Sequence, residues 1–251
     1  MILHLLLLLC QFDPTYSPQY GEALRLMQQQ RLSEAALILE ALTRGQPAVS
    51  NYWHALGLLR ASQGQAGPAL TALEKACLGL SPPRLACAEW GRLLQRLGRH
   101  REAIAAFHRS PRHDVDSQTL ADRALSLEAL GEFRAADHDF RAALAECALR
   151  PKQSASLQLL YAQFLMRRQQ WEPALWQLRQ TLRKQPFLGM AWLEQATVLL
   201  LLQRREEAAD SLEQALAHGQ RTRENLLLLS RVYREMGDLD KAESYRKEAN
   251  D

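Results

Sequence analysis

The sequence predicts an all-α chain built as a solenoid of antiparallel helix pairs, and three observations carry that expectation. Seven alanines, Ala35, Ala69, Ala103, Ala136, Ala174, Ala208 and Ala242, recur at steps of 34, 34, 33, 38, 34 and 34 residues. A period of that length marks two-helix repeats, each too small to bury its apolar face alone and therefore stacked on its neighbours. Apolar residues on either side of each alanine recur at the helical spacing i, i+3, i+4 and i+7, and no stretch alternates with period two as a half-buried strand would. Turn formers fall at constant offsets: Gly64, Gly98, Gly131 and Gly237 each stand five residues ahead of an alanine, and Pro47, Pro82–Pro83 and Pro186 separate one repeat from the next.

Taken in order, the repeats cover about 16–49, 50–83, 84–116, 117–154, 155–188, 189–222 and 223–251, after a leader and linker over 1–15. In the first repeat, Leu37, Leu39 and Leu42 follow Ala35. The second has Trp53, Leu56 and Gly57 on its first helix, then Ala69, Leu70, Leu73 and Ala76 on its second. The third has Trp90, Gly91 and Leu94, then Phe107; the fourth Leu120, Ala124 and Leu127, then Phe140 and Ala143. The fifth has Tyr161, Ala162 and Leu165, then Leu178; the sixth Trp192, Ala196 and Leu199, then Leu212 and Ala215. The seventh has Leu226, Leu229 and Tyr233. Small residues belong where two helices approach closely. The turn glycines suit a left-handed backbone, which a Cβ would strain. Gln30, Gln169 and Gln203 replace them in three repeats, where strained or differently shaped turns are expected. Pro68 and Pro173 sit in the first turn of second helices, where a missing N–H costs least, and Asp238 is a suitable N-cap. The 38-residue step implies one extra turn on the second helix of the fourth repeat: the stretch Arg141–Gln153 stays helical in pattern through about Leu149, and Pro151 ends it.

The pattern large–small–aromatic, turn glycine, small–large–small resembles the tetratricopeptide repeat (TPR), over roughly residues 16–251. The resemblance implies a right-handed superhelical array, a non-catalytic scaffold without cofactor, and a protein or peptide partner held on a concave face. In that family the face is lined by first helices at their second, fifth, ninth, twelfth and thirteenth positions. Carried onto this chain, those positions make Arg92 and Arg96 candidates in a mixed, charged zone. Leu159, Met166, Met190, Leu193, Thr197, Leu200, Leu227, Arg231 and Arg234 are the candidates in a more apolar carboxy-terminal zone. The apolar run Val198–Leu202 exceeds what a one-sided helix needs, so it either packs on several sides or opens onto a groove. Leu and Met there would suit an amphipathic helix or extended peptide, with Arg231 and Arg234 facing an acidic flank. The Lys–Asn–Arg clamp with which some TPR proteins hold a carboxylate tail is absent: its positions hold Asn51, His54 and Leu58, and Leu85, Ala88 and Arg92.

Net charge is +3, with 31 basic and 28 acidic residues interspersed along the helices. That argues against a nucleic-acid stripe. No nucleophile–base ordering, phosphate-cradling glycine loop or paired carboxylates point to catalysis. His100, His108, His113, Asp114, Asp116, His138 and Asp139 cluster in sequence without metal-ligand spacing, so no metal is expected. The opening Met1–Cys10 is apolar but too short to span a bilayer. It has the length of a secretory core, and Cys10 resembles a lipoprotein acceptor, although Leu9 is large for that site. A cleaved or lipidated leader would place the chain in a bacterial envelope, periplasmic or membrane-anchored. An uncleaved interfacial segment or a misassigned start, with a cytoplasmic chain, are the alternatives. Cys77 and Cys87 are either two buried small hydrophobes or, in an exported chain, a disulfide; Cys147 has no evident partner.

Overall fold

A computed structural model of the chain describes residues 17–110, 115–148 and 151–250. Fourteen α-helices run through these residues: α1 (Pro18–Gln28), α2 (Leu32–Gly45), α3 (Ser50–Ser62), α4 (Ala66–Leu78), α5 (Ala86–Arg96), α6 (His100–His108), α7 (Ser117–Ala129), α8 (Phe133–Glu146), α9 (Pro151–Arg167), α10 (Trp171–Lys184), α11 (Gly189–Leu201), α12 (Arg205–Ala217), α13 (Arg223–Met236) and α14 (Leu239–Glu248). Odd-numbered helices are the first, and even-numbered the second, of consecutive pairs; each of α1 to α7, and separately each of α9 to α14, packs on the next helix in its own series. Among the described residues there is no strand. The described residues fall into two compact units, one up to Asp139 and the other from Phe140.

All seven alanines of the frame are buried, six of them completely. Each begins the inward face of a second helix opposite a small residue of the first. Gly57 and Gly91 are two such close approaches on first helices. A Cβ on Gly57 would lie 2.7 Å from Leu73 Cγ, and one on Gly91 would lie 2.6 Å from Phe107 Cε1. Glycine in a helix interior costs stability, and here it admits the large side chain of the facing helix.

The turn within every pair has one design. The residue five ahead of the alanine is left-handed, and two hydrogen bonds close over it in a Schellman motif. In the second repeat these run from Gln65 N to Arg60 O (2.9 Å) and from Gly64 N to Ala61 O (3.1 Å). Gln30, Gln169 and Gln203 adopt the same conformation, with φ of 64, 56 and 62°, against 73–79° for Gly64, Gly98 and Gly131. Their bonds also match: Gln170 N to Leu165 O and Arg204 N to Leu199 O, both 2.9 Å. The glutamine turns are therefore strained, as expected, but not differently shaped. Packing of the flanking helices holds a backbone that the side chain disfavours.

Pro151 does not end the second helix of the fourth repeat. Helix α8 stops at Glu146 with 14 residues, the length of α2 and α10. Pro151 instead opens α9, which has 17 residues where α3, α7 and α11 have 13. The four extra residues thus add a turn to a first helix. Proline is well placed at a helix start, because its φ is preset and its missing N–H has no intrahelical partner there.

Two tryptophans fasten joints between repeats. Trp53 Nε1 donates to Pro47 O (2.9 Å), and Trp192 Nε1 donates to Pro186 O (2.7 Å), so each indole pins the turn that precedes its own helix. Leu37 is 67 % exposed rather than core. It stands two residues after Ala35, about 200° around the helix, which turns it to solvent. Within residues 140–251, the last core joins Leu212, Leu216, Leu226, Leu229, Val232 and Tyr233. Tyr233 and Tyr245 stack at 5.9 Å. Both hydroxyls donate to Glu213 Oε1, at 2.6 and 3.1 Å. Burial and that carboxylate push the Tyr245 phenol up to about 12.

Candidate partner-binding face

The candidate residues fall into two groups. Arg92 and Arg96 lie on α5, within residues 1–139; the other nine lie on α9, α11 and α13, within residues 140–251.

Arg92 is engaged within the fold. Its Nε donates to Asp122 Oδ2 of α7 (2.6 Å) and its Nη1 to Glu89 Oε1 (2.7 Å). Gln118 donates to the other oxygen of Asp122 (2.9 Å), and Gln95 to its backbone carbonyl (2.7 Å). Burial raises the Asp122 carboxyl and the Arg92 guanidinium opposes that shift. This network ties the first helix of one repeat to the first helix of the next. Arg92 therefore positions helices, whereas Arg96, one turn on, is exposed.

In the second group none of the nine residues is buried. Leu159, Met166, Leu193 and Leu200 are half-buried, and Thr197, Arg231 and Arg234 are exposed. Met190 and Leu227 are 44 % and 38 % exposed. Leu193 and Leu200 rest on the core that α11, α12 and α13 share through Ala196, Leu212, Leu226 and Leu229. Helices α9 and α11 are joined by Gln163 Nε2, which donates to Glu194 Oε1 (2.7 Å). Glu194 Oε2 is enclosed without a donor, and burial raises that carboxyl. The run Val198–Leu202 divides by the helical period: Val198 and Leu199 are fully buried, Leu200 and Leu202 half-buried, and Leu201 51 % exposed. Both readings of the run thus apply to different residues of it. Arg231 and Arg234 form no ion pair among the described residues, whereas Arg205 of α12 pairs with Glu235 (2.9 Å). The face is an apolar strip with unmatched positive charge along one side.

The remaining candidates are placed as follows. Cys77 and Cys87 are bonded, S–S 2.09 Å, with Cα atoms 4.7 Å apart, across the joint between α4 and α5. Cys147 is a free, buried thiol. Cys10 and the leader, together with His113 and Asp114, lie outside the described residues. Among the described residues no three His, Cys, Asp or Glu side chains converge as metal ligands, and no helix is long and apolar enough to cross a membrane. His54, at a clamp position, is buried with neither ring nitrogen bonded, and desolvation lowers it to about 4.

Pairings that the sequence did not disclose also shape these faces. Arg123 Nε and Nη2 donate to the two oxygens of Asp139, at 2.6 and 2.7 Å, and Gln195 donates to Ser211 (3.0 Å) at the equivalent place sixteen residues apart. A charged or polar pair recurring at that separation across the turn was the available signal.

Comparison with known proteins accords with this architecture. Tetratricopeptide repeat profiles match residues 20–84 and 224–250. No curated protein sequence matches the chain. Among solved structures, a tetratricopeptide repeat protein from Parabacteroides merdae superposes with a TM-score of 0.63 at 18 % identity, over 93 % of each chain. YrrB, described as a TPR protein with an unusual peptide-binding site, gives 0.59 at 15 % identity, over 72 % of this chain and 92 % of its own. MamA from Desulfovibrio magneticus RS-1 gives 0.56 at 16 % identity, over 68 % of this chain and 95 % of its own.

Proposed function

We propose that the chain, which matches tetratricopeptide repeat profiles over residues 20–84 and 224–250, is a repeat protein of that family and a non-catalytic scaffold binding a partner's helix or extended peptide on the first-helix face of α9, α11 and α13. The observation that carries the proposal is the accessibility of Met190, Leu201 and Leu227 beside Arg231 and Arg234. Apolar side chains left at the surface of a water-soluble face are usual at partner sites, and arginine is enriched there. Proteins of this family generally bind protein or peptide partners. Leu193→Glu with Leu200→Glu is expected to abolish capture of partners while helicity is kept. Thr197→Arg, on an exposed side chain, tests the same face without touching the core. Undiminished capture by both variants rules this face out.

An envelope location is the reading we favour for where it works. The Cys77–Cys87 disulfide supports it, since such bonds persist in oxidising compartments; so does the apolar run before Cys10. A cytoplasmic regulatory or assembly subunit with a misassigned start is the alternative. Fractionation of the tagged chain with and without Cys10→Ser separates them. Soluble cytoplasmic protein in both cases ends the envelope reading.

A further inference from the structure

A surface cavity of about 240 Å³ lies between α10 and α11, lined by Arg179, Leu182, Arg183, Trp192 and Gln195. It is distinct from the first-helix face: both arginines come from a second helix, and Arg179 Nη2 donates to Glu207 of α12, also a second helix (2.7 Å). The wall is apolar and fixed, because Leu182 is buried and the Trp192 ring is held by its bond to Pro186 O. The rim is cationic. Glu207 serves Arg179 and Arg204 together, and Arg183, one turn beyond Arg179, forms no ion pair among the described residues. Trp176, 56 % exposed, continues the same helix face at i, i+3 and i+7 with the two arginines.

Gln195 adds an acceptor. Ser211 Oγ donates to Glu207 O (2.8 Å), so it must accept from Gln195, which makes the bonded atom Nε2 and orients the amide. Gln195 Oε1 is then left without a donor. The corresponding joint between α2 and α3 is closed. Glu40 stands where Arg179 does, 139 residues earlier, and pairs with Arg60; Lys75 covers the Trp53 ring at 4.1 Å. At the α10–α11 joint the counterpart of Lys75 is Gln214, so no cation covers Trp192, and Arg183 has no ion pair, among the described residues.

We propose that this cavity is a second binding site, for a segment of a partner protein in which an acidic residue adjoins a large apolar one. The apolar side chain enters against Trp192 and Leu182. The carboxylate bridges Arg183 and the open N–H groups of Arg179, the geometry in which guanidinium–carboxylate bonds are strongest. Small-molecule pockets usually measure about 300–1,000 Å³, and this smaller one has room for one side chain.

The full chain, nitrogen-labelled, is titrated with the blocked tripeptide acetyl-Asp-Leu-Glu-amide and with its uncharged analogue acetyl-Asn-Leu-Gln-amide, while the Trp192 indole N–H resonance is followed. The acidic peptide is expected to shift that resonance saturably at millimolar concentration. The uncharged one should bind about tenfold more weakly or less. Arg183→Glu should remove binding with helicity unchanged, and Leu193→Glu, on the first-helix face, should leave it intact. Equal binding of the two peptides, no shift of Trp192 with either, or full binding by Arg183→Glu each overturns the proposal.

Discussion

Gly91→Ala is the sharpest test of how the helix pairs are packed. In an open helix this change stabilises by about 0.5–1 kcal/mol, because alanine has less backbone freedom to lose. Here the new Cβ lies 2.6, 2.8 and 2.9 Å from Cε1, Cδ1 and Cζ of Phe107. Carbon atoms rest about 3.5–4.0 Å apart, so the ring must retreat by roughly 1 Å. Phe107 is 1 % exposed and packs on Leu94, Ala103 and Ala106, which leaves no free space for that movement. Overpacking of this kind costs about 1–3 kcal/mol. The net expectation is a loss of about 1–2 kcal/mol, seen as a lower urea midpoint by far-UV circular dichroism. Gly67→Ala, also helical but with nothing within 4 Å of its Cβ, is the control and should stabilise. Adding Phe107→Leu to Gly91→Ala should cost less than Phe107→Leu does alone, because the shortened side chain removes the clash. A Gly91→Ala chain as stable as the parent would refute the close approach.

Gln169→Gly and Gln203→Gly, at φ of 56 and 62°, should each stabilise by about 0.5–1 kcal/mol, the left-handed penalty less the entropy of glycine; denaturation midpoints check this. His54 takes up its proton near pH 6.5 when unfolded and near 4 when folded. Stability is therefore unaffected above pH 6.5 and falls as pH drops from there toward 4, by about 3 kcal/mol at the limit. His54→Leu should flatten that acid limb in pH-dependent melts. Reducing Cys77–Cys87 reopens a loop with a sequence separation of 10, and on the chain-entropy account should cost about 2–3 kcal/mol; melts with and without dithiothreitol measure it.

The alanine frame made the helix pairs legible because a close crossing tolerates only small side chains, and the constraint repeats with every pair. The turn position was legible for the same reason, yet the shape of the glutamine turns was not. Gln30, Gln169 and Gln203 look like departures from a rule, but tertiary packing overrides local preference and closes the same two hydrogen bonds. The extra turn was misplaced because Pro151 can either follow a helix or start one, and only the backbone distinguishes the two. Of the candidate face, the apolar strip on α11 could be read from periodicity. The engagement of Arg92 by Asp122 could not, since it depends on two side chains thirty residues apart. Nor could the Trp53 and Trp192 bonds to proline carbonyls, because a tryptophan at a core position reads simply as bulk.

We propose the first-helix face of α9, α11 and α13 as the place where a partner binds. Photo-crosslinking residues placed singly at Thr197 and Arg231 on that face, and at Glu243 on the exposed side of α14, test it directly. Crosslinks to one shared partner are expected from Thr197 and Arg231 and none from Glu243. A partner crosslinked from Glu243 alone would contradict it.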